Sequence, residues 1–291
     1  MELTLLLAGL RFRFLLERPL HIDPALNNFI ISGAEEADVT IRVTWDWEHL
    51  SLPDAQQVGE DAICRYCRQG DTLYCLTRGG FKGPVACSLY HLDCREILCV
   101  LNEKPFLLPP KDLGSILRMI PLRAVFQRFG VLFLHASRIS YGGKAILFTA
   151  PSGTGKTTQA RLWETYRGAE VLCNDRTLLR KVGGLWQSYG FPLDGSEPVR
   201  SNAVVPLGTV VLLAQGSVNE VQRMRPGKAA SLLMGQSVID GWNSDARKTA
   251  MEEILSLLTD VPVYLLTCTP DKRAVEALEA ALKEDGVISL G

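Results

Sequence analysis

The sequence predicts an α/β chain with a β-rich N-terminal module over residues 1–110 and a mixed-sheet α/β core over residues 111–291. Three observations carry this expectation. Short stretches of alternating apolar and polar residues recur through the first hundred positions. Beyond Pro109-Pro110, apolar strands alternate with helical stretches. A Gly-rich segment, Ala150–Thr158, lies between one such strand and one such helix.

In the first module, Leu10–Leu15, Asp38–Thr44, Ala62–Arg68, Thr72–Thr77, Val85–Tyr90 and Ile97–Leu101 read as strands. Gly70-Asp71 and Gly79-Gly80 separate some of them, so the pattern predicts an antiparallel sheet. A helical stretch is expected from Lys111 to Arg128, broken at Pro121 and ended near Gly130. Val131–Ile139 and Ala145–Thr149 form a hairpin about Gly142-Gly143, because two adjacent glycines accept the positive φ angles of a tight turn. A helix over Gly155–Tyr166 closes at Gly168. Strands follow at Val171–Cys173 and Val204–Ala214, with a second hairpin at Gly183-Gly184. The last third gives a helix (Asp245–Leu258), a strand (Val263–Cys268) and a helix (Asp271–Leu282) with Thr269 as N-cap and Pro270 at its first position.

Composition excludes several classes. The 291 residues are 47% hydrophobic and 22% charged, which is neither disordered nor a disulfide-dense miniprotein. Lysine and arginine number 31 against 32 acidic residues, so no net charge draws the chain to nucleic acid or an anionic membrane. The charge is uneven: residues 1–110 carry −5 and residues 111–291 carry +4. The basic half is where a phosphate-bearing ligand is expected. No basic stretch precedes Leu3–Leu7, and no apolar run approaches a membrane span, so a signal peptide and a transmembrane helix are not expected. Eight cysteines without a leader point to free thiols in a reducing, cytoplasmic compartment.

The strongest chemical signal is Ala150-Pro151-Ser152-Gly153-Thr154-Gly155-Lys156-Thr157-Thr158, which matches a phosphate-binding loop (P-loop) with alanine at the first glycine position. Small residues at Gly153 and Gly155 let successive amides face one concavity, and the helix N-terminus that follows favours anions. Ser152, Gly153, Thr154, Gly155, Lys156, Thr157 and Thr158 are therefore expected to hold a nucleotide's phosphates. Lys156 would bridge the outer ones and the Thr157 hydroxyl would ligate Mg²⁺. The strand feeding this loop comes out of a two-residue hairpin, so it must run antiparallel to the strand before it. That topology is unusual for such a loop, whose feeding strand ordinarily follows a crossover helix.

With Leu134-His135-Ala136-Ser137, the Gly142-Gly143 hairpin, Ala150–Thr158 and Cys173-Asn174-Asp175 in this order, residues 111–291 resemble the HPr serine kinase/phosphorylase family. That family shares its core with ATP-type phosphoenolpyruvate carboxykinase. Gly190–Gly195 and Val204–Ala214 are similar to its kinase-like branch. The resemblance implies a P-loop kinase core using ATP, with GTP not separated from it, and Mg²⁺. It raises His135 from a core histidine to a candidate for contact with the transferred phosphate. Asn174 stands where the family has the first acid of a pair, the family's acidic–Arg–Gly-rich signature is not recognisable, and residues 1–110 do not resemble the family's N-terminal domain.

Asp175, at a strand end, is expected to ligate Mg²⁺ with Thr157 or to accept the proton of an attacking hydroxyl. Catalysis is thus placed on Asp175, His135 and Lys156. Asp194 and Glu197 are further candidate acids, and Arg176, Arg180 and Arg200 candidate charge-neutralising groups, with Arg180 read as a surface residue. Arg223, Arg225 and Lys228 read as a solvated basic face. Cys64 and Cys67 form a CxxC without the second close pair of a zinc site, so buried thiols are the better reading. Trp45 and Trp47 are expected to alternate on one strand. The expected reaction is ATP-dependent phosphoryl transfer to a hydroxyl, most directly a serine of a peptide or small protein docked on residues 1–110. A small-molecule alcohol acceptor and a non-catalytic nucleotide-binding switch are the alternatives. Neither nucleic acid nor membrane is expected as a partner, and homo-oligomerisation is left open.

Overall fold

The structure is a computed structural model that describes the chain apart from residues 34, 52–53, 80–82, 105–111, 194–200 and 289–291. It is a mixed α/β protein with two mixed sheets. The chain divides into two compact units: Met1–Phe129 with Asp240–Ala246, and Gly130–Ile239 with Arg247–Gly291. The expected boundary at Pro109-Pro110 lies outside the described residues.

The first unit is built on nine strands, β1 (Glu2–Leu7), β2 (Leu10–Leu16), β3 (Ile30–Ile31), β4 (Val39–Thr44), β5 (Gln56–Glu60), β6 (Cys64–Gln69), β7 (Thr72–Arg78), β8 (Pro84–His91) and β9 (Glu96–Leu101). Their order is β3-β1-β2-β4-β9-β8-β7-β6-β5. Period-2 alternation places Leu10, Phe12, Phe14 and Leu16 on the buried face of β2, with Arg11 and Arg13 on the other. The sheet is not purely antiparallel as expected: β2–β4 and β4–β9 pair in parallel. Alternation reports which face is buried and carries no strand direction. The long connections on either side of β4 supply the crossover that parallel pairing needs. Trp45 and Trp47 do not share a strand either: β4 ends at Thr44, Trp47 opens a short 3₁₀ turn, and the Arg18 guanidinium lies 5.0 Å from the Trp45 ring centroid.

Two helices, α1 (Leu113–Met119) and α2 (Leu122–Arg128), cover the buried face. The Phe126 ring meets Phe12 edge-on at 6.1 Å, and the Ser88 hydroxyl donates to the Met119 carbonyl at 2.9 Å. Arg123 on α2 donates to Asp61 Oδ2 at 2.5 Å and to the Tyr66 hydroxyl at 2.6 Å, and its Nε lies 2.9 Å from Asp240 Oδ1. Burial pushes the Asp240 carboxyl up, against the pull of Arg123. Beside this network the Trp242 ring stacks on Tyr66 at 4.7 Å. Of the cysteines here, only Cys67 is partly exposed; all are free, and no metal-binding cluster of His, Cys, Asp or Glu occurs among the described residues.

The second unit contains β10 (Val131–Tyr141), β11 (Lys144–Thr149), α3 (Lys156–Arg167), β12 (Glu170–Cys173), β13 (Arg176–Val182), β14 (Leu185–Tyr189) and β15 (Val205–Gln215). It continues with β16 (Glu220–Arg223), α4 (Pro226–Met234), most of α5 (Ser244–Asp260), β17 (Val263–Cys268) and α6 (Lys272–Glu284). The β10–β11 hairpin forms as expected, with Gly142 and Gly143 at φ +58° and +72°. β11, β15 and β17 are mutually parallel, whereas β10 pairs antiparallel with β11 and with β13. Pairing runs β11-β10-β13-β14-β15 and returns to β11, so five strands close a ring. Leu147, Val210, Leu233, Ile254 and Leu257 belong to one core; Ile146, Phe148, Trp163, Tyr264 and Leu278 belong to a second core. The central strands are thus buried on both faces, with α4 and α5 on one side and α3 and α6 on the other. The α6 cap differs from expectation: Asp271 accepts from the Arg273 amide at 2.9 Å, and Thr269 donates to Asp271. An aspartate two residues on takes the role because its carboxylate accepts more strongly than a threonine hydroxyl. β16 and α4 were not anticipated: β16 has only four residues, and α4 follows a polar stretch with only Pro226 as a start signal.

At Gly59 a Cβ would stand 2.4 Å from the Trp242 ring. Gly59→Ala should lower stability by about 1–3 kcal/mol, read as a lower urea midpoint at unchanged m-value. Gly227→Ala in α4, where nothing lies within 4 Å, should raise it by about 0.5–1 kcal/mol instead.

Candidate functional site

The loop between β11 and α3 leaves the sheet at Thr149 and enters the helix at Lys156. Two glycines shape it: Gly153 at φ +78° and Gly155 at φ +118°. A Cβ at Gly153 would have nothing within 4 Å, so its positive φ and not crowding calls for glycine. Gly155 is the N-cap of α3 and brings no side chain to cap it. The amides of the first helical turn are therefore left without a side-chain acceptor. Ser152 and Thr158 are exposed, and Thr154 and Thr157 are half-buried.

Lys156 is only 7% exposed. Its ammonium donates to the Ala150 carbonyl at 2.8 Å and the Pro151 carbonyl at 3.3 Å. Burial pulls its pKa down, and the nearby Asp175 carboxylate opposes that. The Thr154 amide donates to Pro151 O at 3.3 Å, tightening the turn.

Asp175 follows β12 and precedes β13, which is held against β10 with Arg176 opposite His135. His135 Nε2 lies 2.9 Å from Asp175 Oδ1, and Arg176 Nε lies 3.4 Å from Asp175 Oδ2. The His135 hydrogen bond holds the Asp175 carboxyl below its ordinary range, helped by Arg176 and Lys156 and opposed by burial. The His135 backbone is fixed on both sides: its amide donates to Gln236 O at 2.9 Å, and its carbonyl accepts from Thr149 Oγ1 at 2.8 Å. Asn174 is buried, and its carbonyl accepts from Ser137 Oγ at 2.9 Å. The structure thus brings Lys156, Asp175, His135 and Arg176 into one electrostatic neighbourhood. Arg180 lies further along β13, opposite Val131. Asp194, Glu197 and Arg200 lie outside the described residues. Arg225 and Lys228 are exposed, as is Arg223, whose Nη1 lies 3.6 Å from Asp285 Oδ2.

One site residue escaped sequence reasoning. Gln215, the last residue of β15, places its Nε2 3.4 Å from Gly153 O and 3.5 Å from Thr154 O. A lone glutamine ending an apolar strand carries no motif; only the parallel pairing of β15 with β11 brings it to the loop.

Residues 111–283 match the family described as SynChlorMet cassette protein ScmC. The chain belongs to this family. The ScmC match thus includes the loop, His135 and Asp175, and begins at residue 111. No curated protein matches the chain. Among solved structures, it is similar to the Hpr(Ser) kinase/phosphatase from Coxiella burnetii at 12% identity and a TM-score of 0.33, over 53% of this chain and 97% of that one. No helix among the described residues is long and apolar enough to cross a membrane.

A carboxyl whose folded pKa is depressed stabilises the fold above its unfolded pKa, and that contribution is lost as pH falls through the folded value. Asp175→Asn should therefore cost about 1 kcal/mol at neutral pH. The gap to the native chain should shrink once pH falls below about 4; urea midpoints measured from pH 7 to pH 3 check it.

Proposed function

We propose that the chain is an ATP-dependent phosphotransferase that moves the γ-phosphoryl group to a hydroxyl, with a serine of a peptide or small protein as acceptor. The observation that carries this reading is a buried lysine at an uncapped helix start, facing a His135–Asp175 pair, behind a loop bent by two left-handed glycines. In this reading Gly153–Thr158 and Ser152 form the P-loop and Lys156 neutralises the outer phosphates. The donor set fits Mg²⁺, a hard cation that prefers oxygen ligands. Thr157 and Asp175 would hold it, and it would supply charge neutralisation on the phosphates. Asp175 orients His135 through the 2.9 Å contact, and Asp175 or His135 accepts the hydroxyl proton. Arg176 places a further positive charge beside them. The β-rich residues 1–110 would select the acceptor, and residues 111–291 would carry the chemistry. Eight free cysteines support work in a reducing, cytoplasmic setting.

A second reading is favoured by Asn174, which is buried and cannot act as a base. The same loop would then bind nucleotide as a switch without transfer. A small-molecule alcohol in place of a peptide leaves the site chemistry unchanged.

Calorimetry with ATP and Mg²⁺ should show binding, and Lys156→Ala should weaken it at least about tenfold. Asp175→Asn should retain nucleotide and lower phosphoryl transfer by about 10²–10⁴-fold. Mass spectrometry of candidate peptides incubated with ATP and Mg²⁺ reads the transfer. Binding without transfer to any acceptor selects the switch, and no binding to the folded chain defeats both readings.

A further inference from the structure

Gln215 lies beside the loop for a reason set by strand register. β11 ends at Thr149, whose parallel partner on β15 is Leu212. β15 continues to Gln215 and is held over that stretch by β17, with Gln215 opposite Cys268. A rigid strand end therefore runs alongside the residues that have just left β11. The Gln215 amide nitrogen reaches the two carbonyls flanking the centre of the bend, Gly153 O at 3.4 Å and Thr154 O at 3.5 Å.

The peptide plane turns this contact into a functional statement. In a trans peptide the carbonyl and the following N–H point to opposite sides. Holding Gly153 O toward β15 directs the Thr154 amide the other way, where it meets Pro151 O at 3.3 Å. Pro151 O is also a carbonyl that receives Lys156. Holding Thr154 O toward β15 turns the Gly155 amide away from β15, and no acceptor for that amide occurs among the described residues. Gly155 sits at φ +118° and has no side chain to lock this peptide by sterics. An external hydrogen bond adds a restraint on its orientation that glycine does not supply.

We propose that Gln215 is a positioning residue of the phosphate loop, fixing the Thr154–Gly155 peptide so that the Gly155 amide is presented to an anionic oxygen before any ligand arrives. The value of such a contact is preorganisation: the amide need not reorient on binding. The inference deepens the nucleotide-binding reading and rests on it for the identity of the anion, while the loop orientation itself can be tested without nucleotide.

Two substitutions separate the possibilities. Gln215→Met keeps the length and removes the donor; Gln215→Glu keeps the shape and sets a carboxylate against two carbonyls. Gln215 is exposed, and both variants should keep the native urea midpoint. In the nucleotide-free protein, the ¹⁵N-resolved Gly155 amide should shift and exchange faster in both variants, with β17 amides unchanged. Affinity for ATP with Mg²⁺, and for pyrophosphate as a probe without a base, should fall about 3- to 10-fold in Gln215→Met and further in Gln215→Glu. An unmoved Gly155 amide in both variants, or undiminished affinity in Gln215→Met, overturns the proposal. Absence of nucleotide binding by the native chain defeats the functional reading alone, because the Gly155 amide still reports on Gln215.

Discussion

The loop is organised around one buried cation. An ammonium removed from water must find acceptors or lose its proton, and the cost of leaving it unmet is several kilocalories per mole. Lys156 solves this locally, by drawing the Ala150 and Pro151 carbonyls onto its own Nζ. Doing so curls the chain between β11 and α3, where the helix start carries no side-chain cap. The same cation holds a negative neighbour: Asp175 counters the burial that would strip its proton. Any anion entering the bend would offer Lys156 charged oxygens in exchange for neutral carbonyls, an exchange the electrostatics favour.

The scaffold divides its labour by strand direction. The parallel group β11, β15 and β17 ends at the loop, the usual crevice for ligands in α/β sheets. The antiparallel group β10 and β13 brings His135 and Asp175 to it from the other side. A hairpin-fed loop makes this possible, because β10 returns directly beside β11 instead of being sent to the far side of a crossover helix.

Much of this was legible in the residues. Two-residue glycine turns, apolar runs and a Gly-Lys-Thr loop are local signals, and the hairpin, the loop and α3 follow from them within a residue or two. The approach of His135 to Asp175 was legible only through motif order, since nothing local joins residues forty positions apart. Three features lay beyond local signals. Parallel pairing of β2, β4 and β9 depends on where long connections cross. The return of Asp240–Ala246 to the first unit depends on Gly59 leaving room for an indole, which a lone glycine in a polar strand does not announce. Gln215 acquires its role from register alone.

The ring of five strands in the second unit has a consequence for fidelity. An open sheet can slide one strand past its neighbour at the expense of a single ladder. Here β10 is laced to β11 and β13, and each of those is tied through β15 or β14 to the next. A slip of one residue would have to propagate around the whole circuit, and would also swing His135 to the opposite face. The alignment of the histidine with its aspartate is thereby locked by topology, as a tooth is kept in mesh when the gear train closes on itself.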